Sequence, residues 1–433
     1  MKTTLCLKNR LSLSSMRFFV LAAALLFLGS NGAERDIYRS DVLTFNGEKK
    51  VSADSLSSDS FLVTLECKTA NPIQAPPPKY SFTLRGLDPV EKALFQDAQS
   101  GKWENFDLFR AAMVAEGIRD LQLIRNYEAR LNAVVELVKA EVGRNASQQM
   151  LTQALFETMH KEILTQPYSL DCTELSKVMK TGHFNCVSAT VLFNCLAEKV
   201  GLNVCAVEMP GHALSQVKFA DGHVMDIETT CPTWFDLQSE KERQMATLQR
   251  IAPPVPGVPV PATAQNAFPA TPEPKLELPA DRREISSVQL VATVYYNIGV
   301  DLHAKKCYPE AAAANIKALY LDKGNEQAWT NLLVAINNWA LDVASEEKGK
   351  LYDLAITLYD QGIALDPTYA IFRSNYVYVF YYWIHGLATL GRFDDARKVF
   401  DHAEKRVPGN KDLLELIEKV SQDEMRIKKS RGQ

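Results

Sequence analysis

The stretch Gly182-His183-Phe184-Asn185-Cys186-Val187-Ser188 decides how the middle of the chain folds. Asn185 is a favourable N-cap, and apolar residues at helical spacing after it predict a helix that Gly201 ends. Cys186 would lie in the first turn, where unpaired N–H groups and the positive end of the helix dipole favour a thiolate. Because the thiolate is the reactive form of cysteine, this stretch predicts a nucleophile.

Three strands are predicted after this helix. The first begins at Val204 and breaks at Pro210-Gly211, the second covers His212–Phe219, and a hairpin leads to a third over His223–Thr230. A histidine that opens one strand can meet a carboxylate late on its antiparallel neighbour. A general base and the acid that orients it need this relation.

The length of the hairpin loop decides which acid can reach His212. A three-residue loop places His212 opposite Thr230. Glu228 then lies on the same face at the diagonal, and Asp226 lies two residues further away. This geometry favours Glu228, while Asp226 has the shorter and stiffer side chain and stays a candidate if the strand bulges.

With the nucleophile, histidine and acid in this order, the chain resembles a transglutaminase-like cysteine domain, whose fold is related to papain. Asn185-Cys186-Val187-Ser188 is similar to the family's nucleophile segment, Pro210-Gly211-His212 to its histidine strand, and Asp226-Ile227-Glu228-Thr229-Thr230 to its acid strand. The resemblance covers about residues 105–235. It implies an α+β fold and a Cys–His–Asp/Glu triad that acts on amide or peptide carbonyls, by hydrolysis or by transfer to an amine.

The sequence departs from this family at the acid and at the oxyanion hole. The family's usual Asp-Pro-Thr is replaced by a segment with two acids, and no Gln or Trp is evident as an oxyanion donor. The Cys186 N–H and His183 remain as candidate donors. A zinc site built from His183, Cys186, Cys205 and His212 fits no ligand spacing, so we predict neither a metal nor a cofactor.

Residues 1–33 have the pattern of a secretory signal. Basic residues precede an apolar run from Phe18 to Leu28, and small residues follow it. The run is shorter than the ~20 residues of a membrane span, although an uncleaved anchor is the alternative. We therefore expect a secreted or periplasmic protein with no membrane span beyond this segment. Residues 34–88 indicate no function.

The composition of the 433-residue chain is that of a globular protein, with 46% hydrophobic and 23% charged residues. Its 48 basic residues nearly balance 52 acidic ones, and the net charge of -4 argues against nucleic acid as a partner. Loss of Cys6 with the signal would leave seven of the eight cysteines. An odd number leaves at least one thiol unpaired within the chain.

A proline-rich linker is predicted at residues 241–285, because nine prolines lie between positions 253 and 279. Beyond it, over residues 286–425, small residues recur seven apart, on one helix face where a neighbouring helix can approach closely. These pairs are Ala311 and Ala318, Ala355 and Gly362, and Ala396 and Ala403. The pattern resembles tetratricopeptide repeats, which implies an all-α superhelix with a concave face for a peptide or partner segment.

The sequence thus predicts an α+β, papain-like transglutaminase-core domain at residues 89–240, joined to an all-α tetratricopeptide-repeat domain. We expect an exported cysteine-dependent acyl-transfer enzyme, either a peptidase/amidase or transglutaminase-like. Its substrate would be a protein or peptide, and the repeat groove would hold a protein partner. The alternative is a binding scaffold in which the transglutaminase-like module is inactive.

Overall fold

The computed structural model describes most of the chain beyond the predicted signal and linker, namely residues 87–143, 145–233, 235, 282–345 and 351–430. The predicted signal sequence, and the nine prolines of the predicted linker, lie outside these ranges. The described residues divide into two compact units. The first covers residues 93–290, and the second covers residues 87–92 and 291–430.

In the described part of the chain, six α-helices precede the sheet. They are α1 Pro89–Asp97, α2 Leu108–Ala115, α3 Leu121–Val142, α4 Gln148–Glu162, α5 Leu175–Thr181 and α6 Cys186–Lys199. Every residue of α6 from Cys186 to Ala197 is buried, because the helix packs against the sheet on one side and against α2 and α4 on the other. Burial of Leu192 and Phe193, both 0% exposed, contributes about 1.5–3 kcal/mol each.

The described strands form one antiparallel sheet of order β3-β2-β1-β4. They are β1 Val204–Met209, β2 His212–Lys218, β3 Val224–Ile227 and β4 Arg283–Ile285. Because α6 packs on β1 and β2, the N-terminal turn of that helix comes close to the start of β2. The fold of this unit is therefore α+β, as the sequence predicts.

The predicted linker is wrong at its C-terminal end, since β4 lies inside it. Residues 283–285 pair with residues 206–208 of β1. Arg283 forms an ion pair of 2.5 Å with Glu208, which lies opposite it on β1. Three residues are too few to show an alternating pattern, and a charged residue at each of the first two positions hides the strand further.

Every regular element in the described part of the second unit is a helix. Its helices in chain order are α7 Ser287–Ala304, α8 Tyr308–Leu321, α9 Glu326–Ser345, α10 Tyr352–Leu365, α11 Ala370–Thr389, α12 Phe393–Glu404 and α13 Lys411–Ser430. Consecutive helices pack as neighbours from α8 to α12. None of the described helices, in either unit, combines the length and the apolar composition that a bilayer span requires.

The small residues seven apart lie where this unit is most tightly packed. The five alanines of the three pairs are 0% exposed, and each pair lies on the second helix of a hairpin. At Gly362 an added Cβ would lie 2.7 Å from the ring of Phe372. Small side chains are therefore required at these positions because the neighbouring helix approaches closely.

Candidate active site

Cys186 opens α6 on a helix cap that is fixed from both sides. The Asn185 side chain accepts a hydrogen bond from the Ser188 N–H at 3.0 Å, and the Ser188 hydroxyl accepts one from the Asn185 N–H at 3.0 Å. The Asn185 amide also donates to the Thr173 hydroxyl at 2.7 Å, and Ser188 donates to the Cys172 carbonyl at 2.7 Å. This reciprocal capping box ties the first turn of the helix to the preceding loop. The backbone at Cys186 is thereby held in place.

His212 and Glu228 form the second part of the site. Nε2 of His212, the first residue of β2, lies 2.9 Å from Oε2 of Glu228. The other carboxylate oxygen of Glu228 accepts hydrogen bonds from the Thr230 N–H at 3.1 Å and the Thr230 hydroxyl at 2.5 Å. Glu228 therefore has both oxygens engaged, and one of them orients the imidazole.

The strand register is the one predicted from a three-residue loop. Ser215 pairs with Ile227, and continuing that register places His212 opposite Thr230. The predicted third strand is too long, however, because β3 ends at Ile227. Glu228 lies one residue beyond the strand, where its hydrogen bonds to Thr230 turn the backbone away from the ladder.

The Cys186 thiol interacts with the His212 imidazole, the backbone of Ala213 and the Tyr168 side chain, and all three lower its pKa. Because Nε2 of His212 faces Glu228, Nδ1 is the ring nitrogen left for the thiol. One imidazole thus connects the sulfur to the carboxylate. This is the relation that a nucleophile, its base and the orienting acid require.

The charges of these groups shift their pKa values in the direction that favours a thiolate–imidazolium pair. Burial raises the pKa of the Cys186 thiol, but the hydrogen bond and charge of His212 outweigh it and hold the pKa below its ordinary value. Burial lowers the pKa of His212, but the Glu228 charge and the bond to Cys186 raise it well above its usual range. Burial raises the pKa of Glu228, but the charge of His212 and the hydrogen bonds from His212 and Thr230 together outweigh it and lower the pKa.

Asp226, the other candidate acid, contacts different residues. It forms two hydrogen bonds of 2.5 Å with the Arg282 guanidinium, and the Gln216 side chain donates to it at 2.8 Å. Arg282 immediately precedes β4, so Asp226 joins the loop before that strand to β3. The structure therefore brings Glu228, and not Asp226, to His212.

His183, the candidate oxyanion donor from sequence, has its Nδ1 2.9 Å from the Pro167 carbonyl. It supports the loop before Tyr168. Tyr168 itself, Thr230 and Ala213 all belong to the site, and sequence reasoning singled out none of them for it. No recognised motif or spacing marks Tyr168 or Ala213, and in the sequence Thr230 stands out only as part of the acid segment and as the residue opposite His212.

A second buried histidine, His160, lies near Glu228 and differs from His212 in charge. Its ring packs against Phe156 and Phe184, with ring centroids 4.6 Å and 5.8 Å away. Burial lowers the pKa of His160 to about 4, with a smaller opposing effect from Thr229 and Glu228. His160 is therefore neutral near pH 7.

Cys186 is a free thiol, as are Cys172, Cys195, Cys205 and Cys307 in the described ranges. Across those ranges, no three or more His, Cys, Asp or Glu side chains are arranged to hold a metal ion. The groups gathered at the site are a thiol, an imidazole, a carboxylate and a phenol. They can provide a nucleophile and proton transfer.

Comparison with known families agrees with this arrangement. The family model of the transglutaminase-like superfamily matches residues 125–231, which include Cys186, His212 and Glu228. No tetratricopeptide-repeat family model matches the helical C-terminal region. No curated protein matches the chain. The similarity to the transglutaminase-like superfamily therefore covers the segment that holds the site.

Proposed function

We propose that the first unit is a cysteine-dependent acyl-transfer enzyme that acts on amide or peptide carbonyls. The observation that carries the proposal is the His212 ring, which lies 2.9 Å from the Glu228 carboxylate and interacts with the Cys186 thiol. The free state of Cys186 and its position in the first turn of α6 also support it. The match to the transglutaminase-like superfamily suggests cysteine-dependent catalysis.

In the proposed reaction, His212 holds the proton of Cys186 and the thiolate attacks the carbonyl carbon. The carbon–sulfur bond forms as the π electrons of the carbonyl move to oxygen. Collapse of this intermediate expels the amine, which takes the proton from His212, and leaves a thioester on Cys186. Water or a second amine then attacks the thioester, giving up a proton to His212, and the thiolate leaves. Glu228 keeps the imidazole oriented throughout.

The test is the alkylation rate of Cys186 by iodoacetamide, followed by mass spectrometry. We expect rapid labelling of Cys186 in the wild type and a rate lower by about 10-fold or more in His212→Ala, because the imidazole favours the thiolate. His223→Ala is the matched control, since His223 is an exposed histidine beside the same hairpin. Equal rates in the wild type and His212→Ala would refute the activation of the thiol.

The rival proposal of a non-catalytic scaffold makes a different prediction. A non-reducing peptide map that finds Cys186 in a disulfide in the purified mature protein would remove the nucleophile and favour the scaffold. A panel of acyl-amide electrophiles, compared between the wild type and Cys186→Ala, would then show whether any turnover depends on this residue.

We also propose export and a binding role for the second unit. The basic, apolar and small-residue pattern of residues 1–33 supports export. The buried small residues on the second helices of successive hairpins support a tetratricopeptide-like stack, which would hold a peptide or protein partner. N-terminal sequencing of the mature protein tests the first point, since export predicts a new N-terminus near residue 33.

A further inference from the structure

The loop before α5 is paired with the segment that leads to Cys186. Gln166 donates its N–H to the Gly182 carbonyl at 3.1 Å, and Ser169 donates to the Phe184 carbonyl at 2.8 Å. Gly182 has a positive φ of 78°, and a Cβ there would lie 2.4 Å from the Thr165 hydroxyl. Only glycine therefore allows the two segments to approach this closely.

Tyr168 lies in the middle of this pairing and is supported on both sides. It forms a parallel bridge with Phe184, and the two rings meet edge to face with centroids 6.2 Å apart. The carbonyl of the preceding residue, Pro167, is held by His183 at 2.9 Å. The phenol is thus fixed by the same segment that carries the nucleophile.

The Tyr168 hydroxyl interacts with both the side chain and the backbone of Cys186. Because Tyr168 pairs with Phe184, two residues before Cys186, the phenol and the nucleophile belong to adjacent segments. Burial and the nearby negative charges of Cys186 and Glu228 raise the pKa of Tyr168 well above that of an ordinary phenol. The hydroxyl therefore stays protonated and remains a donor at any pH at which the thiolate reacts.

From this contact we infer that Tyr168 is a catalytic residue, which donates a hydrogen bond to the oxyanion formed when Cys186 attacks a carbonyl. The inference rests on the proposed acyl-transfer function. As the carbon–sulfur bond forms, the negative charge leaves the sulfur and moves to an oxygen on the same carbon. The Tyr168 hydroxyl interacts with the side chain and the backbone of Cys186, so it can donate to that oxygen. The phenol proton turns from the sulfur to the oxyanion and is not transferred.

This role accounts for the missing family donor. The Cys186 N–H alone would give one hydrogen bond to the oxyanion, and His183 is engaged with Pro167. With Tyr168 the oxyanion receives two donors, and the pairing of residues 166–169 with residues 182–184 holds the second donor near the first. Removal of one such donor typically costs about 10²–10³-fold in rate.

Tyr168→Phe, which keeps the ring and removes the hydroxyl, tests the inference with two reagents at Cys186. Iodoacetamide reacts at a saturated carbon and forms no oxyanion, whereas 4-nitrophenyl acetate acylates through a tetrahedral intermediate. We expect acylation, measured as 4-nitrophenolate release above that of Cys186→Ala, to fall about 100-fold or more. Alkylation should fall by less than about 10-fold, the effect of one hydrogen bond on the thiolate. Tyr127→Phe, in α3, should change neither rate.

Several outcomes would overturn the inference. Equal loss of both rates would mean that Tyr168 acts only on the thiolate, and faster acylation would mean that its hydroxyl blocks the site. A wild type that alkylates but never acylates would refute the proposed function as well. If Tyr168→Phe does not fold, His183→Ala loosens the Pro167 carbonyl while keeping the phenol. The inference requires that acylation by His183→Ala also fall more than its alkylation.

Discussion

Helix α6 carries two buried cysteines, one at its first residue and one nine residues later, and the comparison between them explains why only one is suited to react. Cys186 is 8% exposed and Cys195 is 3% exposed. Burial raises the pKa of both thiols, and for Cys195 the negative charges of Glu198 and Asp107 raise it further, well above the ordinary value. Cys186 differs because His212 offsets the effect of its burial. A reactive thiol therefore needs a partner and a helix terminus, and burial in the same helix does not provide them.

The strongest test of this contrast is to remove each thiol in turn. We expect Cys186→Ala to lower kcat/KM for an amide substrate by about 10⁴-fold or more, because no other group replaces the nucleophile. Cys195→Ala should leave kcat/KM nearly unchanged and lower the free energy of unfolding by about 1 kcal/mol through a small cavity. Steady-state kinetics and urea denaturation measure both. A large loss of activity in Cys195→Ala would contradict the contrast.

The two acids of the hairpin provide the next largest effect. Glu228→Gln should lower kcat/KM by about 10²–10⁴-fold, because the amide no longer holds the imidazole in the required tautomer and charge. Asp226→Asn should change kcat/KM by less than about 10-fold.

Asp226→Asn should instead have its main effect on stability. Loss of its charged hydrogen bonds to Arg282 should reduce the free energy of unfolding by about 1.5–3 kcal/mol. The two variants, measured side by side by kinetics and by chemical denaturation, separate an orienting acid from a structural one. Equal kinetic losses would remove the distinction between them.

The pH dependence of alkylation sharpens the comparison of the two cysteines. The pKa of Cys186 is lowered, so its thiolate should persist as pH falls below the ordinary thiol range and be lost only near the depressed pKa. The pKa of Cys195 is raised, so its alkylation should stay slow until strongly alkaline pH. In His212→Ala the profile of Cys186 should shift to higher pH, toward that of Cys195. Mass spectrometry of both peptides across pH 5–10 measures it, and coincident wild-type profiles would contradict the prediction.

The smallest expected effect concerns the helix cap. Asn185→Ala removes the acceptor of the Ser188 N–H and should lower the free energy of unfolding by about 1 kcal/mol. Because the cap also positions the first turn, the alkylation rate of Cys186 should fall modestly while that of Cys195 stays unchanged. A thermal shift and the two labelling rates measure these effects. An unchanged melting temperature would mean that the capping box does not stabilise α6.

The local parts of the site could be predicted from sequence because their causes are local. An N-cap residue before apolar positions at helical spacing gives the start of α6, and the loop length gives the register that brings His212 to Glu228. The α+β character and the helical C-terminal region follow from similar short-range patterns. The small residues seven apart identify positions of close helix contact, although they do not give the bounds of each helix.

The remaining features depend on contacts between distant residues, which leave little trace in sequence. Tyr168 reaches Cys186 only because its loop pairs with residues 182–184, and a pairing of so few residues has no periodicity. The end of β3 at Ile227 depends on hydrogen bonds between Glu228 and Thr230. β4 is equally short, and its ion pair with β1 joins residues 75 positions apart.

The place of β4 beside β1 also limits how the first unit can be isolated. A fragment cut at residue 240, after the last residue predicted for the domain, would lose the outer neighbour of β1 and the guanidinium that neutralises Asp226. The unpaired backbone groups of an edge strand can template pairing with another chain. Such a fragment should be prone to self-association, whereas one extended through residue 290 keeps β4 paired with β1.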